Sequence, residues 1–251
     1  MKMVRFYISI LSLAILTFLF TSCEDDGYDL GNFVICLATI NPLDDNSDSY
    51  YLTLDDGTTL WPAAPVNGHY KPKKDQRVLV DFTLLSDSLQ GYDHFVRVNR
   101  LQEILTKQVI DLTSENEAEV GNDPIRILEY WIGDHYLNIH FGYNSGGEKI
   151  HTINLVENKL AEINNENGLI ELEFRHNKNN DPEKYGVKSF AAFNLRKYQK
   201  EGQNSVDFLI KVRDFNEEEK EYKITYKYGV NEEKLSTNKT IANMPEDIKY
   251  H

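Results

Sequence analysis

Apolar and polar positions alternate with a period of two along most of this chain, the signature of half-buried β-strands. Val78, Val80, Phe82 and Leu84 fall on one face, with Asp81 and Thr83 opposite. Val96 and Val98 alternate with Arg97 and Asn99. Upstream, residues 33–40 read as an apolar strand. Residues 50–54 and 58–61 flank Asp55-Asp56-Gly57, a hairpin signal because Asp-Gly tolerates positive φ. Residues 101–105 read as a short helix or as the end of a bent strand. About five strands thus precede residue 113, a number suited to a small closed barrel spanning 33–113.

Residues 114–124 are polar and acidic and read as a linker. Beyond it the alternation is cleaner. Leu137, Ile139 and Phe141 oppose Tyr136, Asn138 and His140; Ile170, Leu172 and Phe174 oppose Glu171, Glu173 and Arg175. Val206, Phe208, Ile210 and Val212 oppose Asp207, Lys211 and Arg213, and Tyr222, Ile224, Tyr226 and Tyr228 oppose Lys223 and Lys227. With residues 125–132, 149–156 and 188–195 this makes about seven strands, separated by turn signals at 144–147, 165–168 and 177–182. One polar face per strand predicts an antiparallel two-sheet sandwich over 125–236. Residues 237–251 are polar and read as a flexible tail. The expected fold is all-β, an OB-like five-stranded barrel followed by this sandwich.

The N-terminus follows a different pattern. Lys2 and Arg5 precede fifteen almost continuously apolar residues, 6–20. That run is short for a membrane span, which needs about 20, and suits a signal peptide. Leu19-Phe20-Thr21-Ser22-Cys23 resembles a bacterial lipobox, in which the cysteine is acylated, with palmitate among the chains, and becomes the mature N-terminus. Residues 1–22 are then the signal peptide and 23–32 an acidic tether. Glu24, Asp25 and Asp26 look like the export signal that carries Bacteroidetes lipoproteins to the outer face of the outer membrane. Several acyl chains anchor stably where one does so only marginally.

Composition narrows the function. Apolar residues make up 41% and charged residues 27%, enough for a packed core. Forty Asp and Glu against 27 Lys and Arg give −13, and loss of Lys2 and Arg5 leaves −15. Such acidity argues against nucleic acid, which is held by clustered cations. After Cys23, only Cys36 remains as a thiol, inside an apolar run that marks it as structural.

At this level the chain resembles the NigD-like family of Bacteroidetes lipoproteins. The resemblance rests on the lipobox ending at Cys23 and on the run from Arg77 to Leu85. It rests also on Phe95-Val96-Arg97-Val98-Asn99 followed by Glu103-Ile104-Leu105-Thr106-Lys107, and on Leu172-Glu173-Phe174-Arg175-His176-Asn177 with Asp181-Pro182 beyond. It implies an N-terminal OB-like barrel and a C-terminal β-sandwich. A bacteriocin immunity or export role has been associated with the family name, and no catalytic residues are.

Candidate chemistry is sparse. No phosphate loop, GxSxG elbow or His-Glu-x-x-His stretch is present. His135 and His140 sit five apart on one expected strand and point to opposite faces. His140, His151, His176 and Glu173 are the residues from which a long-range metal or catalytic set could assemble; the plainer reading is solvated or hydrogen-bonded histidines, with no catalytic residue, metal or cofactor. Asp44-Asp45-Asn46-Ser47-Asp48 reads as an acidic turn, lacking the glycine and distal glutamate of a calcium loop. An OB-like barrel can bind oligosaccharide, and Trp61, Trp131, Tyr50, Tyr51, Tyr70 and Tyr92 are the available aromatic platforms. Asp87-Ser88-Leu89 matches the O-glycosylation pattern of exported Bacteroidetes proteins, with Ser88 as acceptor. The expectation is a lipid-anchored outer-membrane protein facing the exterior, acting by binding a protein or glycan partner. Its alternatives are bacteriocin immunity and accessory glycan binding in an uptake system.

Overall fold

The computed structural model describes residues 33–44, 48–65, 70–86, 88, 91–160 and 168–228. Cys23, Glu24, Asp25, Asp26, the centre of the 44–48 acidic turn and the 237–251 tail lie outside the described residues.

Five strands close the barrel in the order β1-β2-β3-β5-β4. They are β1 (Val34–Pro42), β2 (Tyr50–Leu54), β3 (Thr59–Pro65), β4 (Arg77–Ser86) and β5 (His94–Glu103). Gly57, at φ 83°, makes the turn read from Asp55-Asp56-Gly57. Residues 101–103 continue β5, whose pairing with β4 is interrupted by bulges, so the bent-strand alternative is the one realised. Ile40, Leu52, Leu60, Val78, Val80, Phe82, Val96 and Val98 point inward and fill the barrel.

Hydrogen bonding then passes to the second unit. β6 (Leu105–Gln108) and β7 (Ile110–Leu112) lie in the stretch read as barrel, yet pair with sandwich strands. A four-residue helix, α1 (Glu117–Val120), follows within the linker and buries Val120. The sandwich strands are β8 (Arg126–Gly133), β9 (Tyr136–Ser145), β10 (Thr152–Asn158), β11 (Ile170–Asn177), β12 (Tyr185–Asn194), β13 (Ser205–Arg213) and β14 (Glu219–Lys227). One sheet runs β14-β13-β11-β10-β7 and the other β6-β12-β9-β8. The long hairpins are antiparallel, whereas β7–β10, β6–β12 and β11–β13 pair in parallel. Between the sheets pack Leu137, Ile139, Phe141, Leu155, Leu172, Phe174, Phe193, Phe208 and Ile210.

One expectation of the alternation is not met. The second face of β9 and β12 is buried too, with Tyr136, Asn138, Phe190 and Ala192 almost inaccessible. The barrel covers it. Leu37 and Leu79 from the outside of β1 and β4 join Ile104, Tyr136, Phe190 and Ala192 in a third apolar cluster flanked by Trp131. The protein is thus three-layered where the barrel docks, and a face of period two that reads as solvent-exposed is an interdomain contact.

Arg77 sits at that contact with a fully buried side chain. It ion-pairs with Asp55 and donates to Thr39 Oγ1 (3.0 Å) and Asn138 Oδ1 (3.2 Å). Asp55 also accepts from the Trp131 indole N–H (2.6 Å). A Cβ on Gly133 would collide with the Asp55 carboxyl carbon, so only glycine admits the hairpin tip here. Beyond Gly133, Asp134 and His135 both take positive φ, forming the two-residue turn that joins β8 to β9. His135 is therefore in a turn, not on a strand with His140; its Nδ1 lies 2.7 Å from Tyr226 Oη.

Candidate functional site

Two places in the described structure gather chemistry. The first is the outer face of the barrel opposite the sandwich. With Leu52, Leu60 and Val96 turned inward, their neighbours Tyr51, Trp61 and Phe95 must face out. Register aligns them: Leu52 pairs with Leu60, bringing Tyr51 beside Trp61, and Trp61 pairs with Phe95. Tyr92 leans across the row, with ring centroids 5.5 Å from Tyr51, 5.0 Å from Trp61 and 6.5 Å from Phe95. All four rings are half-buried.

Tyr92 is held there by its neighbour. Asp93 Oδ2 accepts from the Thr59 N–H and hydroxyl, both at 2.9 Å, while the Asp93 N–H donates back to Thr59 O and Oγ1, both at 3.1 Å. This reciprocal clamp fixes the segment before β5 on β3, so the rings are positioned in advance of any ligand. Polar groups border the row. Asn41, paired with Tyr51, donates to Thr53 Oγ1 (2.9 Å), and Asn99 binds Asp81 and Thr83. Arg97, the nearest cation on β5, is engaged with Asn99 Oδ1 at 3.0 Å.

The expected aromatic set therefore divides. Tyr51, Trp61 and Tyr92 come together. Tyr50 and Tyr70 pack edge-on against each other at 5.7 Å beside the barrel core, and Trp131 belongs to the interdomain contact. Phe95 was the member sequence reasoning missed. Its signal was an aromatic residue on the face otherwise held by Arg97 and Asn99.

The second place is an end of the sandwich. His151, just before β10, and His176, near the end of β11, meet edge to edge with ring planes 23° apart, centroids 5.0 Å apart and ring nitrogens 2.8 Å apart. His151 Nε2 lies 3.1 Å from Asp181 Oδ2, and His176 Nδ1 lies 3.1 Å from Pro124 O. Asn179 and Asn180 adopt positive φ and fold the loop back so that Asp181 is buried. There Asp181 accepts from Ser145 Oγ and from the N–H groups of Gly146, Gly147, Glu148 and Lys149. Burial works against its charge, but the Gly146 N–H, His151, Ser145 and the Glu148 N–H outweigh that and hold the carboxyl well below the usual range. Burial pushes His176 down to about 4.

Glu173 and His140 are not part of this cluster. Glu173 pairs with Arg175 and accepts from Asn158, and His140 stacks on Phe190 at 4.5 Å. Among the described residues no group of three or more His, Cys, Asp or Glu is placed to hold a metal. Cys36 borders the barrel core, and burial, reinforced by Asp55, pushes its thiol up to about 12, far from the range of a nucleophile.

Comparison with known proteins accounts for this architecture. The NigD-like N-terminal OB domain matches residues 37–104, and the NigD-like C-terminal β-sandwich domain matches residues 108–226. The chain belongs to the NigD-like family. Among solved structures, this NigD-like chain is 37% identical to a protein from Parabacteroides distasonis described as toxin related, with a TM-score of 0.68 over 78% of this chain and 94% of that one. A NigD-like immunity protein from Bacteroides caccae is 21% identical, with a TM-score of 0.62 over 77% and 96%. A Bacteroides fragilis protein described as a lipoprotein is 14% identical, with a TM-score of 0.55 over 80% and 100%. The latter two likenesses are of fold alone. No curated protein matches the chain.

Proposed function

We propose that the mature protein is a lipid-anchored outer-membrane protein that faces the exterior and works by binding, not catalysis, with the aromatic row of the barrel as its contact surface. Acyl chains on Cys23 hold it, and Glu24, Asp25 and Asp26 direct its export. The observation that carries the binding reading is the row itself: Tyr51, Trp61, Tyr92 and Phe95, half-exposed and clamped in place by Asp93 and Thr59. Aromatic groups concentrate at contact surfaces because they bury large area with little conformational entropy to lose.

Two further arguments support the orientation. The tether of ten residues reaches at most ~33–36 Å when extended. From Val34 the chain climbs β1, so Asn41 and the aromatic row beside it stand about 23 Å farther along that strand. The charge of −15 on the mature chain would be repelled by anionic headgroups, which favours standing above the membrane over lying on it. Ser88, exposed in the loop after β4, is accessible for O-glycosylation.

The test is capture of a partner by cross-linking in cells carrying the tagged full-length protein, with Cys23→Ala and a Trp61→Ala/Tyr92→Ala double variant alongside. An outer-membrane or secreted partner recovered with the wild type and lost with both variants supports the proposal. A partner that survives the double variant moves the contact surface elsewhere. A second reading, accessory glycan binding, is favoured by the same row, since sugar rings stack on aromatic faces and Arg97, the nearest cation on β5, is already engaged with Asn99. It predicts that the soluble domains bind neutral oligosaccharides without any protein partner and that the double variant does not.

A further inference from the structure

The proton count at the sandwich end goes beyond this reading. Asp181 accepts from one hydroxyl and four backbone N–H groups, so its carboxylate acts there only as an acceptor, and the contact at 3.1 Å requires His151 Nε2 to donate. Pro124 O is likewise only an acceptor, so His176 Nδ1 must donate. Between the rings, His151 Nδ1 and His176 Nε2 share one proton at 2.8 Å. Three contacts need three protons, and two neutral imidazoles carry two.

We infer that the His151–His176 pair holds one proton more than two neutral rings, with Asp181 as its counter-charge, and that release of this proton frees the Pro124 segment: a pH-sensitive latch. Burial disfavours charge on His176, and the Asp181 carboxylate lies on the His151 side of the pair, 3.1 Å from its Nε2. The other groups facing the pair are Tyr143 from β9, Asp123 from the segment before β8, and Lys178, Glu183 and Lys184 from the loop that carries Asp181.

Loss of the proton leaves three arrangements. In one, a bare His151 Nε2 faces the carboxylate. In another, both outer donations persist and His151 Nδ1 and His176 Nε2 turn bare lone pairs on each other at 2.8 Å. In the third, His151 keeps its donation to Asp181, His176 Nε2 donates to His151, and a bare His176 Nδ1 faces Pro124 O. The third is the least unfavourable, because it sets a lone pair against a neutral carbonyl and not a charge, and gives up a 3.1 Å contact while keeping the 2.8 Å one. Release therefore falls on Pro124. That residue lines a cavity of about 170 Å³ together with Asp123, Asn144, Lys178 and Phe215. Neighbouring bonds persist, from the Asp123 N–H to His176 O (2.7 Å) and from the Ile125 N–H to Arg213 O (2.9 Å), so the loosening is local.

His151→Gln separates the states. Its amide can donate to Asp181 and accept from His176 Nε2, reproducing the released arrangement at every pH. The experiment uses the full-length protein labelled with ¹⁵N-histidine. At about pH 6, below the ordinary histidine value, NMR should show three protonated ring nitrogens in the pair. Amide exchange of residues 119–127, corrected for intrinsic pH dependence, should be roughly tenfold less protected at about pH 9, reflecting one lost buried hydrogen bond. His151→Gln should lack that protection at both pH values. Two protonated nitrogens at about pH 6 would overturn the shared proton. Three, with protection equal at both pH values, would overturn the latch. If His151→Gln does not fold, the two wild-type measurements decide alone.

Discussion

The barrel turns two outer faces to different surroundings. On β1 and β4, Leu37, Thr39, Arg77 and Leu79 point outward and are buried where the sandwich docks. On β2, β3 and β5, Tyr51, Trp61 and Phe95 point outward and are half-exposed, with Tyr92 across them. The covered face joins small apolar contacts to one buried cation, whose partners are spread over Thr39, Asp55 and Asn138. Such a contact tolerates only one docking geometry, because a shift of an ångström would strand Arg77 without its acceptors. The open face presents rings that are already half-exposed, and can take a partner without unpairing Arg77. The contrast teaches that an outward β-face is not defined by its own strands alone but by what else in the chain needs covering.

The largest effect in breaking this contrast should come from Arg77→Met, which strands Asp55 and leaves Asn138 unsatisfied. Denaturant unfolding should show a loss of about 3–5 kcal/mol. An unchanged midpoint would mean that the covered face is held by apolar packing alone. Next, Gly133→Ala forces the hairpin away from Asp55 and should cost about 1–3 kcal/mol by the same measurement. Its effect should shrink in the Arg77→Met background, since both changes act on Asp55.

Acid should loosen the sandwich end first. His176 has its folded value depressed from 6.5 to about 4, so its neutral form contributes stability that is full above 6.5 and is lost as pH falls through that window. Asp181 is depressed as well, and its contribution fades further as pH drops below 3.8. Thermal melts between about pH 7 and 4 should fall in wild type and flatten in His176→Gln. A pair that welcomes a first proton and refuses a second titrates as a unit, so the melts report the pair and not one ring. The smallest stability change belongs to the open face. Trp61→Ala should cost about 1 kcal/mol or less beyond lost area, the worth of a surface aromatic pair, while abolishing partner capture. A loss matching Arg77→Met would show that the row is structural.

Much of this was readable along the chain. The period-two runs at 78–84, 137–141, 170–174 and 206–212 became β4, β9, β11 and β13, and Asp55-Asp56-Gly57 became the expected turn. The candidate sites were legible only as residue types. Trp61 and Tyr92 could be named as platforms, but their grouping with Tyr51 and Phe95 depends on register across three strands. His151 and His176 could be named as candidates, yet their partner turned out to be Asp181 and not Glu173, because the loop through Asn179 and Asn180 reverses the chain.

The division has a physical origin. Strand positions, turns and the inward face of each strand follow from alternation, which is a contact rule between residues one or two apart, and the sequence by itself determines them. Which polar-looking faces are covered is a contact between residues far apart: Asp55 meets Trp131 across 76 positions, and His151 meets His176 across 25. Those meetings exist only once two sheets and a barrel have packed. A buried Arg77, a second buried face on β9 and a proton shared between two histidines were therefore decided by the tertiary structure alone.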